Sequence, residues 1–291
     1  VSNMQNLDES ILQKVIKARP QESFKGTFGK IVLVGGNENF GGAIIMAATA
    51  AVYGGTGLVT AATDPANSAA LHAQLPEAMF ADFNDDQLVG DLIVAADTVV
   101  VGPGLGDNAQ SLHILKNVFE YVHDGQTLVI DGSAITLMAR ENLKQPACQI
   151  SVIYTPHQME WQRLSGIKIA DQSVENNQKA VQKLTATVVL KKHHTEIYHD
   201  DQVFKLPIGS AAQAVGGMGD TLAGMVGSFT AEFKDAGLDA ILAAVYAHSA
   251  VADQIAENQY IVLPHQISHA LPAFMKKVAA QDSKTHIGFM D

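Results

Sequence analysis

Short apolar runs recur along the chain: KIVLVGG (30–36), GLVTAAT (57–63), DTVVVGPG (97–104), QTLVIDG (126–132), QISVIYTP (149–156) and ATVVLKK (186–192). They are nearly continuous and do not alternate polar with apolar residues. That pattern marks strands buried on both faces, and so a parallel sheet between two helical layers. Helical stretches at 41–55, near 65–74, at 108–122 and at 171–185 separate the runs. Strand–helix alternation on this scale predicts a three-layer α/β fold with a mostly parallel central sheet and helices on both faces. TEIYHDDQVFKL (195–206) alternates around HDD and is expected to form an antiparallel hairpin at a sheet edge. Further helices are expected at 217–231, 236–257 and 267–280. No linker, repeat or low-complexity tract interrupts the pattern, so residues 1–291 read as one domain. Aromatic residues are only 6% of a chain that is 47% hydrophobic. Small aliphatic residues must therefore build the core, which favours close helix packing. The Ala-rich helices at 41–55 and 240–257 suit either the sheet or a subunit interface, the first more the sheet.

Thirty acidic residues against 19 Lys and Arg give a net charge of −11, with no basic cluster. Nucleic acid and anionic membranes are therefore not expected partners. Nucleotides remain possible ligands, because backbone amides hold phosphates without basic side chains. Cys148 is the only cysteine; no internal disulfide can form, and a reducing, cytoplasmic location is expected. No run of about 18 apolar residues is present to span a bilayer, and the first 20 residues lack the apolar core of a signal peptide. Residues 1–7 are expected to carry no fixed structure, with Met4 as the natural start and residues 1–3 foreign to it.

In open α/β sheets, ligands bind beyond the carboxyl ends of the strands. The loops there are GGNENFGGA (35–43), GPGLGD (102–107), DGSA (131–134), TPHQME (155–160) and KKHHT (191–195). None is a Walker A loop or a Rossmann glycine fingerprint. GGMGDTLAGMVG (216–227) is more informative. Gly216, Gly217 and Gly219 let backbone N–H groups converge on an anion ahead of a helix whose first amides lack partners. Asp220 at that point is either a helix cap or a general base beside a phosphate. His157 and Glu160 are three residues apart and share a helical face. They are either a helix-start pair or a contact for substrate or a hydrated metal. His193 and His194 are adjacent; on a strand they would point to opposite faces, so joint chelation is not expected.

KGTFGKIVLVGGNENFGGAIIMAATAAVYGGTGLVTAAT (25–63), VVVGPGLG (99–106), TPHQMEWQRLSG (155–166), VVLKKHHTEI (188–197) and GGMGDTLAGMVG occur in the order seen in NAD(P)H-hydrate dehydratases. The chain resembles that family over roughly residues 10–280. The resemblance implies a ribokinase-like fold and a homo-oligomer, often a tetramer. It also implies repair of hydrated NADH or NADPH (NADHX, NADPHX) at the expense of ADP or ATP, with Mg²⁺. Ala43, Gly104, Gly106, His157 and Asp220 would then contact the hydrate. Lys191, Lys192, His193, His194, Thr195, Gly216, Gly217 and Gly219 would contact the nucleotide. Asp220 would be the base, and Glu160 would hold Mg²⁺ through water. Ser133, Met159, Met218 and Phe40 depart from the family's usual acid, glycine, threonine and tyrosine, which bears on phosphate affinity and nucleotide choice. The alternatives are a small-molecule kinase for a vitamin precursor or sugar, which would leave the phosphoryl group on its product, and a nucleotide sensor without turnover.

Overall fold

The computed structural model describes the backbone of residues 3–287 and the side chains of residues 3–281. Its strands are β1 (Met4–Asn6), β2 (Lys30–Val34), β3 (Leu58–Thr63), β4 (Met79–Asp82), β5 (Thr98–Val101), β6 (Thr127–Ile130), β7 (Ser151–Tyr154), β8 (Thr187–Leu190), β9 (Glu196–His199) and β10 (Gln202–Lys205). Its helices are α1 (Ser10–Val15), α2 (Gly41–Tyr53), α3 (Ser68–Gln74), α4 (Asp86–Val94), α5 (Ala109–Tyr121), α6 (Ser133–Arg140), α7 (Gln158–Ser165), α8 (Val174–Leu184), α9 (Met218–Glu232), α10 (Leu238–Ala256) and α11 (Pro264–Ile287).

One sheet has the order β1-β10-β9-β8-β7-β6-β5-β2-β3-β4. The strands from β4 to β8 in that order are parallel, and β9 pairs antiparallel with both β8 and β10. Alternate residues of one strand enter different cores. Ile31, Leu33, Val100 and Val189 pack beneath α1, α2, α9, α10 and α11. Val32, Val34, Val101 and Leu190 pack beneath α4, α5 and α6, with Trp161 of α7 and Val181 of α8. This two-sided burial is why the strands read as unbroken apolar runs.

The small residues do the work expected of them inside the chain. Ala47, Ala48, Ala50 and Ala51 of α2 and Ala243, Ala244 and Ala247 of α10 are fully buried. At the crossing of α2 and α9, a Cβ on Gly224 would lie 2.2 Å from the Ala47 carbonyl oxygen. The two helices can come that close only because position 224 has no side chain.

Several elements differ from the sequence reading. Residues 4–6 are not without structure: they form β1, parallel to β10, so the 196–205 hairpin is not the sheet edge. All three β1 side chains are exposed. Within these three residues only main-chain bonding joins the sheet, and no apolar pattern announces them. The short elements β4, α4 and α6 were also not anticipated. Leu7 of the segment expected to lack structure is buried and its N–H donates to Lys205 O (2.9 Å), while residues 1–2, like 288–291, lie outside the described residues.

The Gly224 contact generates a test. Gly→Ala in a helix interior ordinarily adds about 1 kcal/mol through helix propensity. Here overpacking against Ala47 should dominate, and Gly224→Ala should destabilise the fold by about 1–3 kcal/mol. The measurement is the denaturant midpoint, which should fall.

Candidate active site

The strand order reverses between β2 and β5: the chain proceeds from β2 outward to β3 and β4, then returns to β5 and continues the other way. A crevice opens at such a reversal, beyond the carboxyl ends of the two strands. The loops leaving β2 and β5 are bonded to each other there. Gly36 N–H donates to Pro103 O (2.8 Å) and Asn37 N–H to Gly104 O (2.7 Å). Asn67 Nδ2 donates to the Gly36 and Asn37 carbonyls (2.9 and 3.1 Å). Gly104 has φ +63°, and a Cβ there would lie 2.8 Å from Ala43 Cβ. Gly106 N–H donates to Ser133 Oγ at 3.1 Å. Ala43 and Gly104, far apart in sequence, therefore meet, and Gly106 follows on the same loop, against Asn37. Asn37, Asn67 and Ser133, which were not read as site residues, hold their loops in place.

Three neighbouring strands deliver the next group. Asp131 follows β6, Thr155 follows β7 and Lys191 follows β8. Asp131 Oδ1 accepts from Thr155 Oγ1 (2.7 Å) and from Lys191 Nζ (3.2 Å). His157 and Glu160 form a reciprocal cap on α7. The Met159 and Glu160 N–H groups donate to His157 Nδ1 (3.2 Å each), and His157 N–H donates to Glu160 Oε2 (2.9 Å). The helix-start alternative for this pair is thus realised. It does not consume the far edge of the ring: Nδ1 is an acceptor, so the ring proton sits on Nε2, 3.4 Å from Glu160 Oε1. Met159, the departure from the family's glycine, contributes only its backbone to the cap.

Helix α9 decides between the two readings of Asp220. Gly217, with φ +88°, is the N-cap, and no side chain caps the helix. A Cβ at Gly217 would collide with the Met46 side chain (2.3 Å from Sδ). Asp220 is the third helical residue and not a cap. Its carboxyl makes no hydrogen bond or ion pair among the described residues. The first amides of α9 are consequently open to a ligand. Helices α4, α5 and α8 are capped by the side chains of Asp85, Asn108 and Ser173, whereas α1, α2, α3, α6 and α10, like α9, have no side-chain cap.

Burial, reinforced by Asp131 and Glu160 against the opposing pull of Lys191, raises Asp220 to about 7. Burial also raises Glu160, partly offset by Lys191. Burial opposes the Lys191 ammonium, but Asp131, Glu160 and Asp220 outweigh it and hold its pKa above the usual lysine value.

A cavity of about 430 Å³ adjoins this group. Of the residues assigned to the nucleotide, Lys191, Lys192, Thr195 and Gly219 line it, as does His157. Gly216 and Gly217 do not line it; the Cβ position of Gly217 faces Met46 and Pro264. His193 and His194 do not line it. They also do not point to opposite faces: their ring centroids are 4.0 Å apart, and His194 has φ +60°. Both lie past the end of β8 in a bend, where strand alternation no longer applies. Lys192 is paired with Glu196 at 2.6 Å. The remaining wall comes from Met218, already noted as a departure from the family pattern, and from residues the sequence reading missed, chiefly Leu222 on α9 and Val245, His248 and Ser249 on α10. Their one signal is helical spacing, and it is shared with ordinary core faces. Burial holds His248 down at about 4, against the Met218 backbone, which raises it; it is a neutral wall residue. Among the described residues no three His, Cys, Asp or Glu side chains could hold a metal by themselves.

Residues 31–273 match the NAD(P)H-hydrate dehydratase family. The chain belongs to that family. Over 274 residues it is 51% identical to a Lactiplantibacillus plantarum protein named ADP-dependent (S)-NAD(P)H-hydrate dehydratase, spanning 94% of this chain and 98% of that one. Among solved structures, a ribokinase-like superfamily protein from Enterococcus faecalis superposes with a TM-score of 0.92 at 45% identity, over 95% of this chain and 96% of that one. The Bacillus subtilis ADP/ATP-dependent NAD(P)H-hydrate dehydratase, co-crystallised with ATP/Mg²⁺, gives 0.85 at 26% identity, over 96% and 100%. The fold of this family member is accordingly ribokinase-like, an α/β sheet between helical layers.

The raised Asp220 carboxyl has a consequence for stability. Its ordinary value is 3.8 and its folded value about 7. Between the two the folded state holds more protons than the unfolded chain, so stability falls as pH rises through that window. Asp220→Asn removes the cost of burying the charge. Its thermal midpoint should exceed wild type at about pH 8, and the difference should vanish near about pH 4.

Proposed function

We propose that the protein restores NADH or NADPH from its hydrate, consuming ADP or ATP. The observation that carries this reading is the uncapped start of α9, with the unpartnered Asp220 carboxyl in its first turn. Asp220, raised to about 7, is suited to accept a proton near neutral pH. Asp220 takes the proton from the ring hydroxyl of the hydrate. The hydroxyl oxygen bonds to the terminal phosphorus of the nucleotide as the bridging P–O bond breaks, releasing AMP from ADP or ADP from ATP. The first amides of α9, with Gly216, Gly217 and Gly219, hold the phosphoryl oxygens. Phosphate is a better leaving group than hydroxide. The lone pair of the ring nitrogen expels it, and loss of a proton from the adjacent ring carbon restores the double bond.

The hydrate lies at the β2/β5 crevice against Ala43, Gly104 and Gly106, with His157 Nε2–H as a donor toward it. The nucleotide occupies the cavity bounded by Lys191, Lys192 and Thr195, with His193 and His194 in the adjoining bend. The L. plantarum relative's name favours ADP. Mg²⁺ suits this site: it takes one or two carboxylates, phosphate oxygens and several waters in place of an all-protein cage. Glu160 would hold it through water, because Oε1 has no short hydrogen bond while Oε2 is committed to the cap. Bound there, the ion would neutralise phosphate charge. Residues 1–291 act as one domain. The lone Cys148 supports a cytoplasmic location, and a homo-oligomer, a tetramer, is proposed from the family resemblance. No helix among the described residues is long and apolar enough to cross a membrane.

Asp220→Asn should lower kcat by about 10²–10⁴-fold while ADP still binds. Turnover of the wild type should rise through about pH 7 as Asp220 ionises. The assay is phosphorus NMR together with the returning near-ultraviolet absorbance of the dihydronicotinamide. A stable phosphorylated product without that absorbance would establish a kinase instead, and full activity of Asp220→Asn would remove it from the reaction.

A further inference from the structure

We propose that Asp131 is a positioning residue, whose carboxylate holds the Lys191 ammonium at the start of α9, against the phosphoryl group being transferred, and keeps it off Asp220. The proposal deepens the reading of α9 as the site of phosphoryl transfer and rests on it.

Asp131 is buried, and one oxygen, Oδ1, receives both Thr155 Oγ1 (2.7 Å) and Lys191 Nζ (3.2 Å). The lysine stem starts past β8, and its ammonium crosses the end of β7 to reach the acid that ends β6. The ammonium fills the space a side chain at Gly219 would take: a Cβ there would lie 2.8 Å from Nζ. Residue 219 sits in the first turn of an uncapped helix. A cation is unfavourable at that end of a helix, where the dipole is positive. Some feature must hold it there, and the ion pair with Asp131 is the feature observed.

Three carboxylates compete for this ammonium, since Asp131, Glu160 and Asp220 all act on it. Only Asp131 is within ion-pair distance. The choice matters, because a lysine paired with Asp220 would hold that carboxylate too tightly to accept a proton. It would also withdraw positive charge from the phosphoryl group. Anchored on Asp131, the ammonium presents its other two N–H bonds toward the helix start, where an anion with several oxygens is the complementary ligand. Thr155 donates to the same carboxylate oxygen and so fixes its position. A flexible lysine stem thereby acquires one position.

The test is a double-mutant cycle of Asp131→Asn and Lys191→Met, read in kcat and KM for the hydrate and in the ADP dissociation constant by calorimetry. Asp131→Asn should lower kcat by about tenfold or more through misplacement of Lys191, with KM for the hydrate unchanged. In the Lys191→Met background, adding Asp131→Asn should change neither kcat nor ADP affinity by more than about twofold, the signature of residues acting as one unit. Thr155→Val should give a smaller kcat loss that likewise vanishes without Lys191. If Asp131→Asn does not fold, that second cycle decides.

Wild-type kcat in Asp131→Asn would overturn the proposal, as would losses that multiply in the double variant. The ADP-binding arm is independent of the reaction assigned to Asp220. Coupling in ADP affinity together with a fully active Asp220→Asn would sink the reaction scheme and leave the Asp131–Lys191 pairing standing. Loss of activity in Asp220→Asn without such coupling would do the reverse.

Discussion

Strand β2 pairs in parallel with β3 on one side and β5 on the other, and the site depends on that double pairing. It brings the loops after β2 and β5 side by side, where Gly36 and Asn37 donate to Pro103 and Gly104. It also aligns the carboxyl ends of β2, β5, β6, β7 and β8 along one edge. Chemistry-bearing residues follow directly from those ends: Asp131 after β6, Thr155 and His157 after β7, Lys191 after β8. The sheet is buried on both faces, so it can serve as a rigid ruler for them. Side chains anchored a residue or two from a strand end inherit its position.

Close helix packing supplies the remaining wall. Gly224 allows α2 and α9 to approach until only backbone separates them, and Gly217 lets the start of α9 press against Met46. The start of α9 is thereby held beside Lys191 without a capping side chain. A capped helix would have spent its free amides internally. Leaving them open costs stability and reserves a place for an anion. Helices α4, α5 and α8 carry polar side-chain caps, while α1, α2, α3, α6 and α10, like α9, carry none. Helix α9 differs in the acid of its first turn, Asp220, which has no partner among the described residues.

The charges at this point are balanced only in part. One ammonium faces three carboxylates, and burial outweighs its pull, driving Asp220 and Glu160 toward their neutral forms. Raised carboxylates beside an anion-binding turn are a recurrent mark of proton-transfer sites. Here the asymmetry among the acids carries the meaning. Asp131 is spent on Lys191 and Thr155, Glu160 on the cap of α7, and Asp220 on nothing in the protein. The acid without a structural duty is the one left for chemistry.

The sequence determined by itself the layered α/β class, the parallel sheet and most long helices, because two-sided burial writes unbroken apolar runs and helical faces write their own period. It also determined the glycine turn before α9, because a glycine cluster with an acid beside it has few structural uses. Tertiary structure alone decided that β1 joins the sheet, since main-chain pairing leaves no side-chain pattern. It decided that His157 and Glu160 cap one another and that His193 and His194 lie tilted against each other in a bend, since both depend on where a neighbouring strand ends. It also decided that the acid of DGSA (131–134) pairs with a lysine 60 residues away, because which carboxylate claims an ammonium is a matter of distance across strands, and distance across strands is not written in local spacing.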